Sequence, residues 1–300
     1  MKKILITGSN GFLGRNIINL LKNEGYEITN LDIDDADIKS NIRKEIPLIN
    51  NHFNIVLHAA GKAHSIPKTE EEKRVFFDTN YQGTINLCRA LEKSGVPRSF
   101  IFISTVAVYG CDFGDNISED HPLEGTSPYA LSKILAEQFL LEWCKKNNVI
   151  LTILRPSLIA GPNPPGNLGD MIKGIRKSLY FSINGGDARK SVLMVDDIAL
   201  LIPLVEEKGG IYNVCDDENP SFKQLEILIS NQLGKKTPPN IPYWIVKPFS
   251  LVGDILGKKS PINSSKLLKM TKSLTFSNQK AKDVLGWQPL NILKNFRISI

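Results

Sequence analysis

The stretch Ile6-Thr7-Gly8-Ser9-Asn10-Gly11-Phe12-Leu13-Gly14 sets three glycines three residues apart at the end of an apolar run that begins at Lys3. Ile4, Leu5 and Ile6 read as a buried first strand, and Phe12, Leu13, Ile17, Ile18, Leu20 and Leu21 recur like one helix face. A glycine turn between strand and helix lets the backbone approach a pyrophosphate, and the helix N-terminus adds free N–H groups and a favourable dipole. In this reading Gly8 makes the tight turn, Gly11 the close approach and Gly14 the close helix–strand packing. Asn10, Phe12 and Leu13 complete the candidate cofactor cradle. The motif alone also fits a plain strand–turn–helix whose glycines serve only geometry.

Asp32 separates the two readings. A second apolar strand, Tyr26 to Leu31, ends at Asp32, eighteen residues after Gly14. An acid there accepts hydrogen bonds from the adenosine ribose hydroxyls and repels a 2′-phosphate. No Lys or Arg follows before Lys39, so the expectation is NAD rather than NADP.

Three hundred residues suffice for a large core in one or two domains. The chain opens directly into a strand, so no signal peptide is expected, and no apolar run approaches the ~20 residues of a membrane span. Cys88, Cys111, Cys144 and Cys215 are scattered without a CxxC pair, as reduced packing residues of a cytoplasmic protein would be. His52, His58, His64 and His121 also lack ligand spacing, so no metal site is expected. The net charge of +6 suits an anionic substrate such as a nucleotide diphosphate, with no sign of a nucleic-acid motif.

Strand and helix then alternate. Asn54–His58, Ser99–Ile103, Ile150–Leu154 and Ile211–Val214 read as strands, and Glu70–Ser94 and Pro128–Asn147 as helices. That alternation predicts an α/β fold, a doubly wound parallel sheet covered on both faces. After Arg155 the texture changes to the turn-rich Gly161–Gly169 and Pro-rich joints such as Thr237–Pro242. The expected division is a nucleotide-binding domain over 1–160, with a later strand returning from about 190–215. A smaller C-terminal substrate-binding part takes 161–189 and 216–300.

The chemistry is expected at Ile103–Gly110 (Ile-Ser-Thr-Val-Ala-Val-Tyr-Gly) and Ser127–Lys133 (Ser-Pro-Tyr-Ala-Leu-Ser-Lys). Tyr129 and Lys133, four apart, share a helix face, and Pro128 suits the first turn. A phenol of pKa about 10 needs help to act as a base near neutrality. A neighbouring ammonium and a nicotinamide cation both favour the phenolate. Lys133 can also hydrogen-bond the nicotinamide ribose, and Thr105 can donate to the substrate oxygen on which charge develops. A Tyr–Lys pair on an exposed helix is the commoner explanation of such spacing taken alone. It leaves the hydroxyl-rich strand end upstream unexplained.

With these residues in view, the chain resembles, over essentially its whole length, the extended short-chain dehydrogenase/reductases of the nucleotide-sugar epimerase/dehydratase family. Thr-Gly-Ser-Asn-Gly-Phe-Leu-Gly is similar to its cofactor turn, and His58-Ala59-Ala60-Gly61 to the strand end lining the cofactor. Asp78-Thr79-Asn80-Tyr81-Gln82-Gly83-Thr84 resembles the segment whose Asn, here Asn80, supports the site. Thr105 stands at the catalytic Ser/Thr position, and Tyr129 with Lys133 at the catalytic pair. Leu154-Arg155-Pro156 with Gly161-Pro162, Val195-Asp196-Asp197, and Leu285-Gly286-Trp287-Gln288-Pro289 match the segments around the substrate loop and the tail.

The resemblance implies a Rossmann fold, an NAD cofactor, a nucleotide-diphosphate-sugar substrate and a homodimer built from helices Thr79–Ser94 and Pro128–Asn147. Leu87, Leu91, Leu135, Phe139, Leu140 and Trp143 are expected to give those helices two apolar faces. It further implies adenine contacts at Asp37 and Ile38 and a cofactor contact at Pro156. A basic contact on the substrate pyrophosphate falls at Arg189 or Lys190, with Lys190 the closer match. Asn163 and Asn167 are candidates for sugar or phosphate contacts, although such residues often only form turns. Tyr109 is expected either to orient the sugar or to pack.

One departure is informative. Dehydratases of this family carry an Asp-Glu pair directly after the catalytic Thr, and this chain has Val106 and Ala107, which cannot move protons. The expected activity is therefore NAD-dependent 4-epimerisation of a UDP-linked (N-acetyl)hexose for surface polysaccharide. The alternatives are reduction of a 4-keto sugar on the same fold, or a non-catalytic NAD sensor or scaffold. Finally, Ile241–Leu256 is apolar and precedes Lys258, Lys259, Lys266, Lys269 and Lys272. It fits an amphipathic patch on an anionic membrane or a C-terminal core helix with a solvated basic face. Pro242 and Pro248 favour the core helix.

Overall fold

The computed structural model describes residues 1–63, 65–256 and 262–298, so His64, Lys258 and Lys259 lie outside the described residues. The first half alternates as expected. In chain order come β1 (Lys3–Thr7), α1 (Phe12–Asn23), β2 (Glu27–Asp32), β3 (Ile38–Lys39), β4 (Ile55–His58), α2 (Glu70–Phe77) and α3 (Gly83–Ser94). They are followed by β5 (Ser99–Ile103), β6 (Gly114–Ile117), α4 (Pro128–Asn147) and β7 (Ile150–Pro156). The second half supplies β8 (Leu158–Ala160), α5 (Gly166–Arg176), β9 (Ser182–Ile183), β10 (Val192–Met194), α6 (Val195–Val205), β11 (Gly210–Val214) and α7 (Phe222–Gln232). The chain closes with β12 (Asn240–Ile241), α8 (Tyr243–Leu256), α9 (Ser264–Thr271), β13 (Leu274–Phe276), α10 (Gln279–Leu285) and α11 (Ile292–Asn295).

Seven strands form one parallel sheet in the order β11-β7-β5-β4-β1-β2-β3. Strand periodicity of two divides the sheet's apolar side chains between two faces. Ile4 and Ile6 of β1 with Ile101 and Ile103 of β5 pack under Ile17 and Leu21 of α1 and Ile198 and Ile202 of α6. Leu5, Val56, Phe100 and Phe102 pack on the other face against Leu87 and Leu91 of α3 and Leu140 and Trp143 of α4. A third cluster, Leu168, Met171, Ile172, Leu225, Ile229 and Phe296, joins α5, α7 and the chain after α11.

Two expectations change. The single helix over Glu70–Ser94 is broken by a π-helical turn at Asp78–Gln82, whose extra residue carries Asn80 into the interior. Of the residues expected to give α3 and α4 two apolar faces, Leu87, Leu91, Leu140 and Trp143 take the one against the sheet. Only Leu135 and Phe139 of that set remain partly exposed, beside exposed Leu131 and Leu141. The second change is α8, which is not a core helix. It continues through Pro248, which withholds one N–H from the helix ladder near its exposed start, and it buries only a narrow strip that includes Val246 and Ser250.

A buried polar chain ties the end of the sheet to α4. The Arg155 guanidinium on β7 donates to both Glu137 carboxylate oxygens, at 3.1 and 2.6 Å, and to the Tyr109 hydroxyl at 3.0 Å. Ser104 donates to Glu137 from the loop after β5, and the Tyr109 hydroxyl donates to Asn213 Oδ1 of β11 at 2.7 Å. Tyr109 is thus a packing residue, fully occupied within the protein, and not one that reaches a sugar. On the other side of α4, His58 at the end of β4 lies between two hydroxyls. Thr84 donates to the Asn80 carbonyl, so it accepts from His58 Nε2–H at 2.9 Å, and Thr7 then donates to Nδ1 at 2.6 Å. Burial first, and the Lys133 ammonium second, lower the pKa of this neutral imidazole from 6.5 to about 3.

Two outcomes are expected. Glu137→Gln should cost about 3–5 kcal/mol in denaturant unfolding because it leaves Arg155 charged and buried, whereas Glu137→Leu/Arg155→Leu together should cost less than Glu137→Gln. Because the folded imidazole stays neutral down to about pH 3, only the unfolded chain takes up its proton as pH falls below 6.5, and acid destabilises. Thermal or urea melts of His58→Gln should therefore lose stability between pH 6.5 and 4 less steeply than the parent, by up to about 1.4 kcal/mol per pH unit.

Candidate active site

Two glycines of the first turn are required by geometry. Gly8 has φ +72°, and a Cβ there would lie 2.7 Å from the Ala60 backbone; a Cβ on Gly14 would lie 2.5 Å from the Ser9 carbonyl oxygen. The turn is closed by Gly11 N–H donating to the Gly8 carbonyl at 3.0 Å. α1 then starts at Phe12 with no side chain capping its N-terminus. Its first N–H groups face the turn without a protein acceptor from the cap, the arrangement that receives a phosphate group. Phe12 is partly buried against the core and Leu13 is buried within it.

The acid after β2 serves this same turn. Asp32 accepts from the Asn10 backbone N–H at 2.8 Å and from the Ile33 N–H at 2.7 Å, while the Asn10 side chain donates to the Asp34 carbonyl. Asp37 uses one carboxylate oxygen on the Asn30 N–H at 2.8 Å, and Ile38 pairs with Leu31 in β3. At the neighbouring strand end, Ala59 N–H donates to the Thr7 carbonyl and Ala60 N–H to the Thr7 hydroxyl. These bonds hold Ala59, Ala60 and Gly61 beside the glycine turn. The residues present fit a dinucleotide: a cradle that a Cβ would fill, an uncapped helix start, and a carboxylate at the rim.

Asn80 joins that strand end to α4. Its Oδ1 accepts from Lys62 N–H at 2.7 Å, and its Nδ2 donates to the Lys62 carbonyl at 3.1 Å and the Ser132 hydroxyl at 2.9 Å. Ser132 in turn donates to the Tyr129 carbonyl at 2.8 Å. α4 begins cleanly, with Ser127 accepting from the Ala130 N–H at 3.1 Å and Pro128 in the first turn. Tyr129 therefore projects from a fixed helix start, its ring against Phe76.

The structure brings Thr105, Tyr129 and Lys133 together. Thr105 Oγ1 accepts from the Ala107 N–H at 3.1 Å, and its side chain lies near enough to the Tyr129 phenol to favour the phenolate. Lys133 is buried and lies 4.5 Å above the Phe102 ring, donating to the Ile103 carbonyl at 2.8 Å. Burial lowers its pKa from 10.5 to about 8 against the pull of Glu137, one helical turn further along α4. A Cβ on Gly61 would lie 3.0 Å from Asn80 Oδ1 and 3.3 Å from Lys133 Nζ, so Gly61 keeps the gap that both side chains use. Burial raises the Tyr129 pKa, and the neighbouring Thr105 side chain works against it.

The outer residues are less assembled. Pro156 is buried at the end of β7. Asn163 is exposed at φ +53°, a turn conformation that accounts for its residue type, and Asn167 is exposed in the first turn of α5. Arg189 is exposed and donates to the Glu218 and Asn219 carbonyls at 3.3 and 3.1 Å. Lys190 is half-buried, donates to the Lys272 carbonyl at 2.9 Å, and has its pKa lowered to about 8 by burial and by Lys269. A cavity of about 680 Å3 opens between α8 and α9, lined by Tyr243, Lys247 and Lys272 and not by Thr105, Tyr129 or Lys133. Sequence reasoning missed Ser132, Glu137 and the carbonyl of Ile103. Glu137 carried a signal, since it stands four residues after Lys133 on the same helix face.

Residues 4–215 match the NAD dependent epimerase/dehydratase family. Among curated relatives, the N-acetyl-alpha-D-glucosaminyl-diphospho-ditrans,octacis-undecaprenol 4-epimerase of Escherichia coli O157:H7 is 30% identical, over 92% of this chain and 88% of that protein. The UDP-glucose 4-epimerase of Vibrio cholerae is 28% identical, over 98% of this chain and 92% of that one. The fold superposes on MoeE5 in complex with UDP-glucose and NAD with a TM-score of 0.73 at 18% identity, covering 96% of this chain and 94% of that one. It also superposes on the Thermotoga maritima UDP-glucose 4-epimerase, with a TM-score of 0.71 at 22% identity, covering 96% and 93%. The Bordetella bronchiseptica enzyme WbmG, in complex with NAD and UDP, gives 0.70 at 21% identity, covering 96% and 90%. With a glycine cradle, a seven-stranded parallel sheet and a Thr–Tyr–Lys group in one structure, the chain belongs to the NAD dependent epimerase/dehydratase family and is an NAD-dependent epimerase or oxidoreductase.

Proposed function

We propose that this protein is a 4-epimerase of a nucleotide-diphosphate hexose, a UDP-linked (N-acetyl)hexose in the first instance, acting in surface-polysaccharide synthesis. The observation that carries the reading is the neighbouring Thr105 and Tyr129 side chains with Lys133 buried one turn along the same helix, and apolar Val106 and Ala107 following Thr105. Relatives named as 4-epimerases of UDP-glucose and of a lipid-diphosphate N-acetylglucosamine support the reaction type. Residues 1–160, with the strand returning from about 190–215, hold the cofactor in this reading, and 161–189 with 216–300 close over the sugar. Lys190, and Arg189 beside it, reach the diphosphate, with Asn163 and Asn167 in the adjoining loop. The protein works in the cytoplasm as a homodimer, joined through the outer faces of α3 and α4, where Leu131, Leu135, Phe139 and Leu141 remain at least partly exposed.

When bound, NAD supplies the acceptor and donor of the C4 hydrogen and a positive charge beside the phenol. Gly8, Asn10, Gly11, Phe12, Leu13 and Gly14 receive its pyrophosphate, Asp32 its adenosine ribose, and Asp37 and Ile38 its adenine. Ala59, Ala60, Gly61, Asn80 and Pro156 line the remainder. Tyr129 takes the proton of the C4 hydroxyl and later returns it, while Thr105 holds the same oxygen. Lys133, held at the Ile103 carbonyl, keeps a cation next to the ribose and the phenol. Its pKa near 8 leaves it mostly protonated at pH 7 and increasingly neutral above. Tyr129 and Lys133 are both intact, which disfavours a sensor that has lost its chemistry.

Tyr129→Phe should lower turnover by about 10²–10⁴-fold while sparing NAD binding by calorimetry. Lys133→Ala should impair both turnover and NAD affinity. The native protein should prefer NAD over NADP, and Asp32→Ala should weaken NAD binding by about 1.5–3 kcal/mol. In a panel of UDP-, GDP-, CDP- and dTDP-sugars, mass spectrometry should show a product of unchanged mass. A product two hydrogens heavier would establish a 4-ketoreductase instead, and loss of one water would overturn the reaction class.

A further inference from the structure

α8 presents a surface that neither the sheet nor the catalytic group uses. Trp244 is 73% exposed, Phe249 65% and Ile255 87%, and Ile245, Leu251 and Val252 are exposed with them. At the helical spacing of about 100° per residue these six, with exposed Pro248, fall on one continuous arc. Val246, Ser250 and Gly253 face the body of the protein, and Lys247 and Asp254 lie at the border of the arc. A contiguous apolar face of this kind marks a contact surface. At 14 residues the helix is about 21 Å long, too short to cross a bilayer core of about 30 Å.

The charge around it is equally uneven. The segment 235–272 carries eight lysines, at 235, 236, 247, 258, 259, 266, 269 and 272, against the single acid Asp254. Its net charge is therefore +7 against +6 for the whole chain, and the other residues together carry −1. Apolar residues along one face of a short helix, set within a lysine-rich segment, are the two components of binding to an anionic lipid surface. A second copy of the chain is disfavoured as occupant, because pairing two such faces would bring two lysine-rich segments together.

We propose that α8 docks this protein onto an anionic lipid bilayer, lying in the plane of the interface with Trp244, Phe249 and Ile255 among the acyl chains and Lys247, at the border of the arc, against the headgroups. The proposal is independent of which sugar the active site takes. Trp244 reports on it directly, since Trp143 and Trp287 are buried. With vesicles of equal parts phosphatidylglycerol and phosphatidylcholine, the full chain should co-sediment, its exposed tryptophan emission should shift to the blue, and lipids brominated on the acyl chain should quench it. Binding to pure phosphatidylcholine should be weaker. Trp244→Ser/Phe249→Ser/Ile255→Ser should partition at least about tenfold less, with unchanged circular dichroism and NAD affinity. Failure of the full chain to bind either vesicle, equal binding to both, or undiminished binding by the triple variant would overturn the proposal. So would a chain that ignores vesicles and forms dimers in light scattering that the triple substitution dissolves.

Discussion

The ion pair between Arg155 and Glu137 is the constraint on which the geometry of the site depends. It joins the last residues of β7 to the middle of α4, one helical turn beyond Lys133, with both side chains almost wholly out of water. Two charges at that depth persist only if each remaining polar atom finds a partner. Ser104 supplies one from the loop that carries Thr105, and Tyr109 supplies another while bonding Asn213 of β11. The loop after β5, the helix of Tyr129 and two strand ends are therefore located relative to one another by one saturated network.

Asn80 does the corresponding work on the cofactor side. A regular helix through residues 70–94 would not present an asparagine inward at that point; the π-helical turn does. The side chain then makes three bonds, to both polar groups of the Lys62 backbone and to Ser132, and Thr84 ties its carbonyl to His58. The strand end that borders the glycine cradle and the helix that carries the tyrosine are held by one amide. Positioning at this precision is what the proposed acid–base chemistry would require.

The electrostatics of the catalytic group follow from its depth. Burial holds Tyr129 in its neutral phenol form and brings Lys133 down to about 8, so the phenol holds its proton more tightly than the ammonium does, the reverse of their order in water. The ammonium is stabilised by the Ile103 carbonyl and the Phe102 ring rather than by the phenol itself. A cation added next to the phenol therefore has a large effect, because little solvent is present to screen it.

By itself the sequence determined the sheet, the glycine turn and the candidate catalytic side chains. Lys3–Thr7, Ser99–Ile103 and Pro128–Asn147 were legible because a buried parallel strand is a continuous apolar run and a capped helix announces its own start. Thr105, Tyr129 and Lys133 were legible because a hydroxyl at a strand end and a Tyr–Lys pair four residues apart are local patterns. Tertiary structure alone decided the rest. The partners of Glu137 lie 18 and 33 residues away along the chain, and those of Asn80 as far as 52, so no window of sequence contains them. That Leu87, Leu91, Leu140 and Trp143 face the sheet while Leu135 and Phe139 face outward was decided by packing, because the sequence supplies apolar residues for both faces without saying which is which. The apolar residues of α8 looked like core, but a helix docked at the edge of a fold can bury only one strip. Which strip is buried depends on what it packs against, and periodicity does not encode that.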